Sequence, residues 1–143
     1  MLSFPEAADL ADEVRRLFED LDHAHDAAPG GLYAPPMDVV EREDGLEIVL
    51  DLAGVAPEDV RVLFKANTLL IAGCKWPAGP TPARPTAFHL VERSFGRFAR
   101  AVRVNATLDL TSARATMTEG ELRVLLPKLN SGQEFVIPIE KVV

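Results

Sequence analysis

The stretch that decides the fold spans residues 45–73 and reads GLEIVLDLAGVAPEDVRVLFKANTLLIAG. Its apolar residues fall at every second position in two runs, which are Leu46, Ile48, Leu50 and Leu52 and then Val60, Val62 and Phe64. A period of two predicts β-strands with one face in a core. Gly54 and Pro57 separate the two runs, and the continuous apolar segment 69–72 predicts a third, buried strand ending at Gly73.

Similar short strands are predicted on both sides of this stretch. They cover residues 38–41 before it and residues 88–93, 95–104, 112–117 and 122–126 after it. The Asp44-Gly45 pair predicts a tight turn, and four prolines between residues 76 and 87 predict an extended loop, because proline cannot donate to a sheet ladder. Many short strands separated by Gly, Pro and Asn turns predict an all-β, immunoglobulin-like sandwich.

The N-terminal segment has helical rather than strand periodicity. Ser3 and Glu6 have the spacing of a capping box, and Pro5 falls in the tolerant first turn. The apolar residues that follow form one stripe, namely Leu10, Val14, Leu17, Phe18 and Leu21. A short isolated helix is marginal in water, so the stripe needs a surface on the protein body, on another copy or on a bound protein.

Length, charge and cysteine content exclude several classes of protein. A chain of 143 residues makes one domain, and a net charge of −7 argues against nucleic-acid binding, which requires a basic face. The single cysteine, Cys74, has no partner for an internal disulfide, and its place at the end of an apolar strand predicts a buried thiol. With no signal-peptide pattern and no apolar run of membrane-spanning length, we expect a cytoplasmic protein without a membrane partner.

An enzyme is not expected. The three histidines, His23, His25 and His89, accompany no nucleophile motif, and no phosphate-binding glycine loop is present, so neither ATP hydrolysis nor a cofactor is expected. The acidic and histidine residues near the end of the first helix (Asp20, Asp22, His23, His25 and Asp26) point in several directions around a helix. We therefore expect no metal site there.

Several ordered motifs resemble one known family. They are PPMDVVE at 35–41, DLAGV at 51–55 with EDV at 58–60, LIAG at 70–73, ERSFGRF at 92–98, and Ala115, Gly120 and Leu122 leading to LPK at 126–128. Together they resemble the α-crystallin domain of small heat-shock proteins, in their bacterial and plant branch. The resemblance covers roughly residues 35–129 and the tail.

The resemblance implies three regions. Residues 1–35 are expected to form the N-terminal arm, residues 36–129 the α-crystallin domain and residues 130–143 the C-terminal extension. It also implies an ATP-independent chaperone, a holdase that keeps unfolding client proteins soluble and releases them to ATP-driven refolding chaperones. We expect it to assemble into homo-oligomers built from strand-swapped dimers.

The tail motif Ile137-Pro138-Ile139 is the sharpest functional feature. In an extended strand the two isoleucines project to one side and Pro138 to the other, so the segment is suited to addition at a sheet edge. The resemblance implies a groove on a neighbouring subunit, lined by Val60, Val62, Phe64, Leu122, Val124 and Leu126. The alternative is that the tail forms a last strand of the same sandwich.

Two further contact surfaces are expected from the resemblance. A strand at residues 88–93 would pair with the partner's sheet, which makes Phe88, Leu90, Glu92 and Arg93 expected dimer residues; an ordinary surface loop is the alternative. The resemblance also implies a dimer-interface ion pair for Arg100 in the strand that follows, with a solvated strand arginine as the alternative. The apolar stripe of the N-terminal segment, to which Phe4 belongs, is the candidate client surface (Phe4, Leu10, Val14, Leu17, Phe18 and Leu21). Packing of the stripe inside the oligomer is an equal alternative.

Two other functions remain open at this point. A co-chaperone of the related CS-domain type would be a monomeric adaptor and would not need the tail motif or the swapped strand. A small-ligand-binding β-sandwich would need a concave apolar pocket with convergent polar groups, which the sequence does not indicate.

Overall fold

The computed structural model describes residues 2–3, 7–22, 32–77, 87–129 and 136–142. Two four-stranded antiparallel sheets pack face to face, and one helix lies outside them. The elements are β1 (Leu2–Ser3), α1 (Ala7–Asp22), β2 (Met37–Glu41), β3 (Gly45–Asp51), β4 (Val60–Lys65), β5 (Thr68–Lys75), β6 (Gly96–Val104), β7 (Arg114–Thr118) and β8 (Glu121–Pro127). Short 3-10 turns at Pro57–Asp59 and Leu110–Ser112 precede β4 and β7. The all-β sandwich predicted from the sequence is confirmed.

The first sheet has the strand order β1-β6-β5-β4 and the second sheet the order β2-β3-β8-β7. Two-residue loops join β4 to β5 and β7 to β8, and all four loop residues, Ala66, Asn67, Glu119 and Gly120, have positive φ angles between 51° and 78°. Two consecutive left-handed residues are typical of the hairpin turn whose twist matches that of the strands. These loops therefore set the register of both hairpins.

The core lies between the sheets and consists of every second residue of the central strands. Ile48 and Leu50 of β3 are fully buried, and Ile71 of β5 faces them from the first sheet at 1% exposure. Further inward side chains come from β6 and β8, namely Phe98, Val102, Val104, Leu122, Val124 and Leu126. The predicted period of two thus places one face of each strand in the core.

Helix α1 packs on the outer face of the first sheet. Leu17 is buried there against Leu70 and Ala72 of β5, with Val14, Phe18, Leu63 and Ala101 around them. The predicted apolar stripe therefore rests on the body of the same chain.

Two local predictions differ from the structure, and a third is shifted by one residue. Ser3 lies in β1 opposite Arg103, and the described helix begins at Ala7, whereas the capping box predicts a helix that begins directly after Ser3. The predicted tight turn joins β2 to β3, where the Arg42 N–H donates a hydrogen bond to the Gly45 carbonyl oxygen at 2.8 Å, but Gly45 itself is the first residue of β3. An added Cβ at Gly45 would lie 2.8 Å from the Leu126 carbonyl oxygen, so this glycine allows close strand approach. Residues 88–93 form no strand within the single chain.

Candidate functional site

A groove opens where the edges of the two sheets meet. β4 is the edge strand of the first sheet and β7 that of the second, so the sandwich is open between them. The groove has a volume of about 340 Å³ and is mostly apolar, lined by Val62, Phe64, Leu69, Leu110, Ala113, Arg114, Ala115, Val124 and Leu126. This is an apolar slot next to an unpaired strand edge, the arrangement that accepts an added strand.

The spacing of the groove residues matches that of the tail isoleucines. Val62 and Phe64 line one wall and are two residues apart, as are Val124 and Leu126 on the facing strand. Alternate residues of a strand lie about 6.5–7 Å apart along its axis, which is also the separation of two isoleucines flanking a proline in an extended tail. Two side chains at that interval can therefore enter the groove together.

The 3-10 turn at Leu110–Ser112 contributes Leu110 to the lining of the groove. The hydroxyl groups of Thr111 and Ser112 donate hydrogen bonds to the Asp109 carboxylate at 2.6 and 2.8 Å. These bonds, that of Thr111 above all, hold the pKa of Asp109 below its usual range. The Asp109 carboxylate therefore stabilises this turn. The turn places the half-exposed side chain of Leu110 in the lining of the groove.

The structure brings together four of the six predicted groove residues. Val62, Phe64, Val124 and Leu126 line the groove, whereas Val60 and Leu122 do not. Burial does not separate the two groups, because Val124 and Leu126 lie in the same core as Val60 and Leu122. The groove also has lining residues that were not predicted from the sequence: Leu69 of β5, Leu110 and Ala113 of the segment before β7, and Arg114 and Ala115 of β7 itself. An Asp-x-Thr-Ser pattern at residues 109–112 is the signal that predicts the turn.

The described tail residues are exposed. Ile137 and Ile139 are 83% and 98% exposed, and Val136 is 95% exposed. The described tail residues, 136–142, belong to no strand of either sheet, so they do not form a last strand of this chain's sandwich. Two large apolar side chains therefore remain available for another surface.

The residues expected at a dimer contact are exposed in the single chain. Phe88 and Leu90 are 79% and 75% exposed, and Glu92 is exposed as well. Arg93 lies 5.0 Å from the Phe95 ring. Sheet order leaves the outer side of β2 without a neighbouring strand among the described residues, so an acceptor edge for an added strand exists on the second sheet.

Arg100, the other expected dimer residue, is half buried and points between the sheets. Its guanidinium group donates a hydrogen bond to the Pro35 carbonyl oxygen at 2.8 Å. This bond anchors the segment before β2 to β6. The side chain thus already has a partner within its own chain.

The expected client stripe is covered in this conformation. Leu17 and Leu21 are 7% and 5% exposed, and Val14 and Phe18 are half buried. Leu10 lies in α1, and Phe4 lies outside the described residues. Exposure of the stripe therefore requires movement of α1 away from the sheet.

Several ionisable groups of the described chain form ion pairs near the surface. Glu47 contacts Arg42 and Arg123 on the outer face of the second sheet, and the hydrogen bond from Arg42 is the main cause that lowers the pKa of Glu47. Lys128 likewise lowers the pKa of Glu41. The described ranges contain no cluster of His, Cys, Asp and Glu suited to a metal ion, while His23, His25 and Asp26 lie outside them.

Cys74 is buried at 3% exposure, as its position in the apolar strand predicts. Within the part of the chain that the structure describes, no helix has both the length and the apolar character needed to cross a membrane.

Comparison with known proteins shows the family and the fold. Residues 38–140 match the model of the Hsp20/alpha crystallin family. The chain is 32% identical over 105 residues to heat shock protein 16 of Schizosaccharomyces pombe, covering 73% of each chain. It is 34% identical over 126 residues to the 19.0 kDa class II heat shock protein of Oryza sativa, covering 84% of this chain and 72% of that one. The solved structure of heat shock protein 16.0 from Schizosaccharomyces pombe aligns with a TM-score of 0.66 at 29% identity, over 77% of this chain and all of that one.

Proposed function

The chain belongs to the Hsp20/alpha crystallin family of small heat-shock proteins, which gives it a stress-related chaperone role, and we propose that it is an ATP-independent holdase. In this role it binds partly unfolded proteins through apolar surface and keeps them from aggregating. It performs no catalysis, acts in the cytoplasm and hands its clients to ATP-driven refolding chaperones.

One observation carries the assembly part of the proposal. The same chain has an exposed tail with two isoleucines at strand spacing and a groove of matching spacing at an open sheet edge. We propose that each tail binds the groove of a neighbouring subunit, with Ile137 and Ile139 inward and Pro138 outward. Many such links hold a large assembly together while each single link stays exchangeable.

The dimer is the second part of the assembly. We propose that residues 88–93 pair with the exposed edge of β2 on a partner chain, which would bury Phe88 and Leu90. The exposure of these apolar residues and the open edge of β2 support this pairing. A monomeric adaptor of the CS-domain type would leave both of these surfaces unused.

The holdase function is tested by measuring how the chain affects the thermal aggregation of another protein in the absence of ATP. Malate dehydrogenase is heated with and without an equimolar amount of the chain while light scattering is recorded, with serum albumin as the control protein. We expect the chain to suppress the scattering and albumin to leave it unchanged, and added ATP should make no difference. Unchanged aggregation at equimolar or excess chain contradicts the proposed function.

A further inference from the structure

The outer face of the first sheet has a chemistry that differs from the rest of this acidic protein. Strand alternation turns eleven residues of β4, β5 and β6 outward, all of them described: Arg61, Leu63, Lys65, Thr68, Leu70, Ala72, Cys74, Arg97, Ala99, Ala101 and Arg103. Their centre is apolar, four of them are basic and none is acidic. The chain as a whole carries a net charge of −7, so this face is a local basic region.

The helix that covers this face has the opposite charge. α1 carries six carboxylates and two arginines, a net charge of −4. Glu13 forms an ion pair with Lys65, and the Arg97 guanidinium carbon lies 5.2 Å from the centre of the Phe18 ring. The helix and the face are therefore complementary in both their apolar and their charged residues.

We propose that this face is a second binding surface, for acidic amphipathic helical segments of unfolding proteins, and that α1 is its resident occupant, which leaves to admit them. The proposal rests on the holdase function and adds the site and the chemistry of its ligand. The chemistry of α1 indicates which ligands this face binds. An apolar stripe on a helix packs against the leucines of the face, and a carboxylate on the same side of the helix pairs with the basic residues of the face.

The contact of α1 with the sheet is small enough to be reversible. Its buried centre consists of Leu17, Leu70 and Ala72, and the surrounding side chains are only partly covered. Alanines at positions 72 and 101 let a helix approach the strands closely. The ion pair of Glu13 with Lys65 is exposed, so it holds the helix weakly and is screened by salt.

Locking the helix in place tests the proposal. Glu13→Cys and Lys65→Cys are combined with Cys74→Ala in the full chain and joined by a reducible bismaleimide, which holds α1 on the sheet. The matched control joins Arg42→Cys to Glu47→Cys, an ion pair of the second sheet at 3.2 Å, in the same Cys74→Ala background. Each protein is assayed for protection of malate dehydrogenase before and after the linker is cleaved.

We expect the locked helix to lose most of the protection and to regain it on cleavage, with no change in the control pair. Equal protection by the locked and cleaved forms overturns the proposal while leaving the holdase function intact. Absence of protection in the wild type contradicts the holdase function instead. A cross-link that joins two chains on a denaturing gel assigns the face to a second copy's helix and also overturns the proposal.

A peptide probe tests the chemistry of the ligand without a client. A labelled peptide copying residues 7–22 is compared with one in which the six carboxylates are replaced by amides, using the cleaved and the locked full chain. We expect the acidic peptide to bind the cleaved chain, to bind several-fold more weakly at high salt, and not to bind the locked chain. Equal binding of both peptides overturns the preference for acidic helices.

Discussion

Replacement of both Ile137 and Ile139 by alanine is expected to break the assembly into dimers. In the single chain these side chains are 83% and 98% exposed, so nearly all of their apolar surface is buried only when a groove receives them. The dimer contact through residues 88–93 uses different residues and should survive the change. The large species should therefore disappear while the two-chain unit remains.

The size of the effect follows from the apolar surface that is lost. Full burial of one isoleucine contributes about 1.5–3 kcal/mol, and alanine retains only a small part of that. The two changes together remove about 3–5 kcal/mol from each link between a tail and a groove. At about 1.4 kcal/mol for each tenfold change, the link weakens by roughly 10² to 10⁴-fold.

Native mass spectrometry and size-exclusion chromatography measure the outcome. The variant should run near twice the 15.6 kDa chain mass, whereas the wild type should give a larger assembly. Val136→Ala is the matched control, because Val136 is 95% exposed in the same tail but projects with Pro138 to the other side. An unchanged mass distribution for the double variant, or dimers from the Val136 control, refutes the proposed facing of the tail.

Three further predictions concern the groove, the core and a surface ion pair. Ala115→Arg places a long side chain in the groove and should reduce the wild-type assembly to dimers in the same mass measurement, although the tail is intact. Gly73→Ala places a Cβ 2.5 Å from the Phe98 ring, which should destabilise the fold by about 1–3 kcal/mol and lower the melting temperature with no change in the dimer contact. Glu47 has a pKa held below 4.5, chiefly by the hydrogen bond from Arg42, so its contribution to stability is present above pH 4.5 and is lost as the pH falls through the lowered pKa. The melting temperatures of the wild type and Glu47→Gln should therefore differ at neutral pH and converge in acid; a constant difference contradicts this.

The strands of the sandwich were predictable because each buries one face. Alternation places Leu46, Ile48 and Leu50 on one side of β3, and the structure has these residues in the core. Alternation assigns a face but not a position along the groove. Val60 and Leu122 follow the same pattern as the groove residues and lie in the same core, yet they stand at the start of their strands, whereas the groove is lined by residues further along β4 and β8.

Other features depend on partners that periodicity does not identify. A helical stripe predicts that α1 packs on another surface, but the residues that receive it, Leu70 and Ala72 of β5 with Lys65 of β4, are distant in sequence and are not identified by the stripe. The groove wall at Leu110 comes from an irregular segment held by Asp109, without a period of its own. Residues 88–93 have strand character in the sequence but pair with no strand in the single chain.

The separation of the tail from the groove has a consequence for symmetry. A surface that binds a different surface on an identical copy makes a heterologous, head-to-tail contact, which by itself continues into an open filament unless its rotation closes a ring. The pairing proposed at β2 is different, because two copies exchange the same strand about a two-fold axis. A finite particle forms when the two-fold dimers connect the head-to-tail series of tail–groove contacts into a closed arrangement. In the proposed assembly the number of subunits depends on how the tail and dimer contacts are oriented relative to each other, so a change of length between the domain and the tail motif should alter that number without altering either contact.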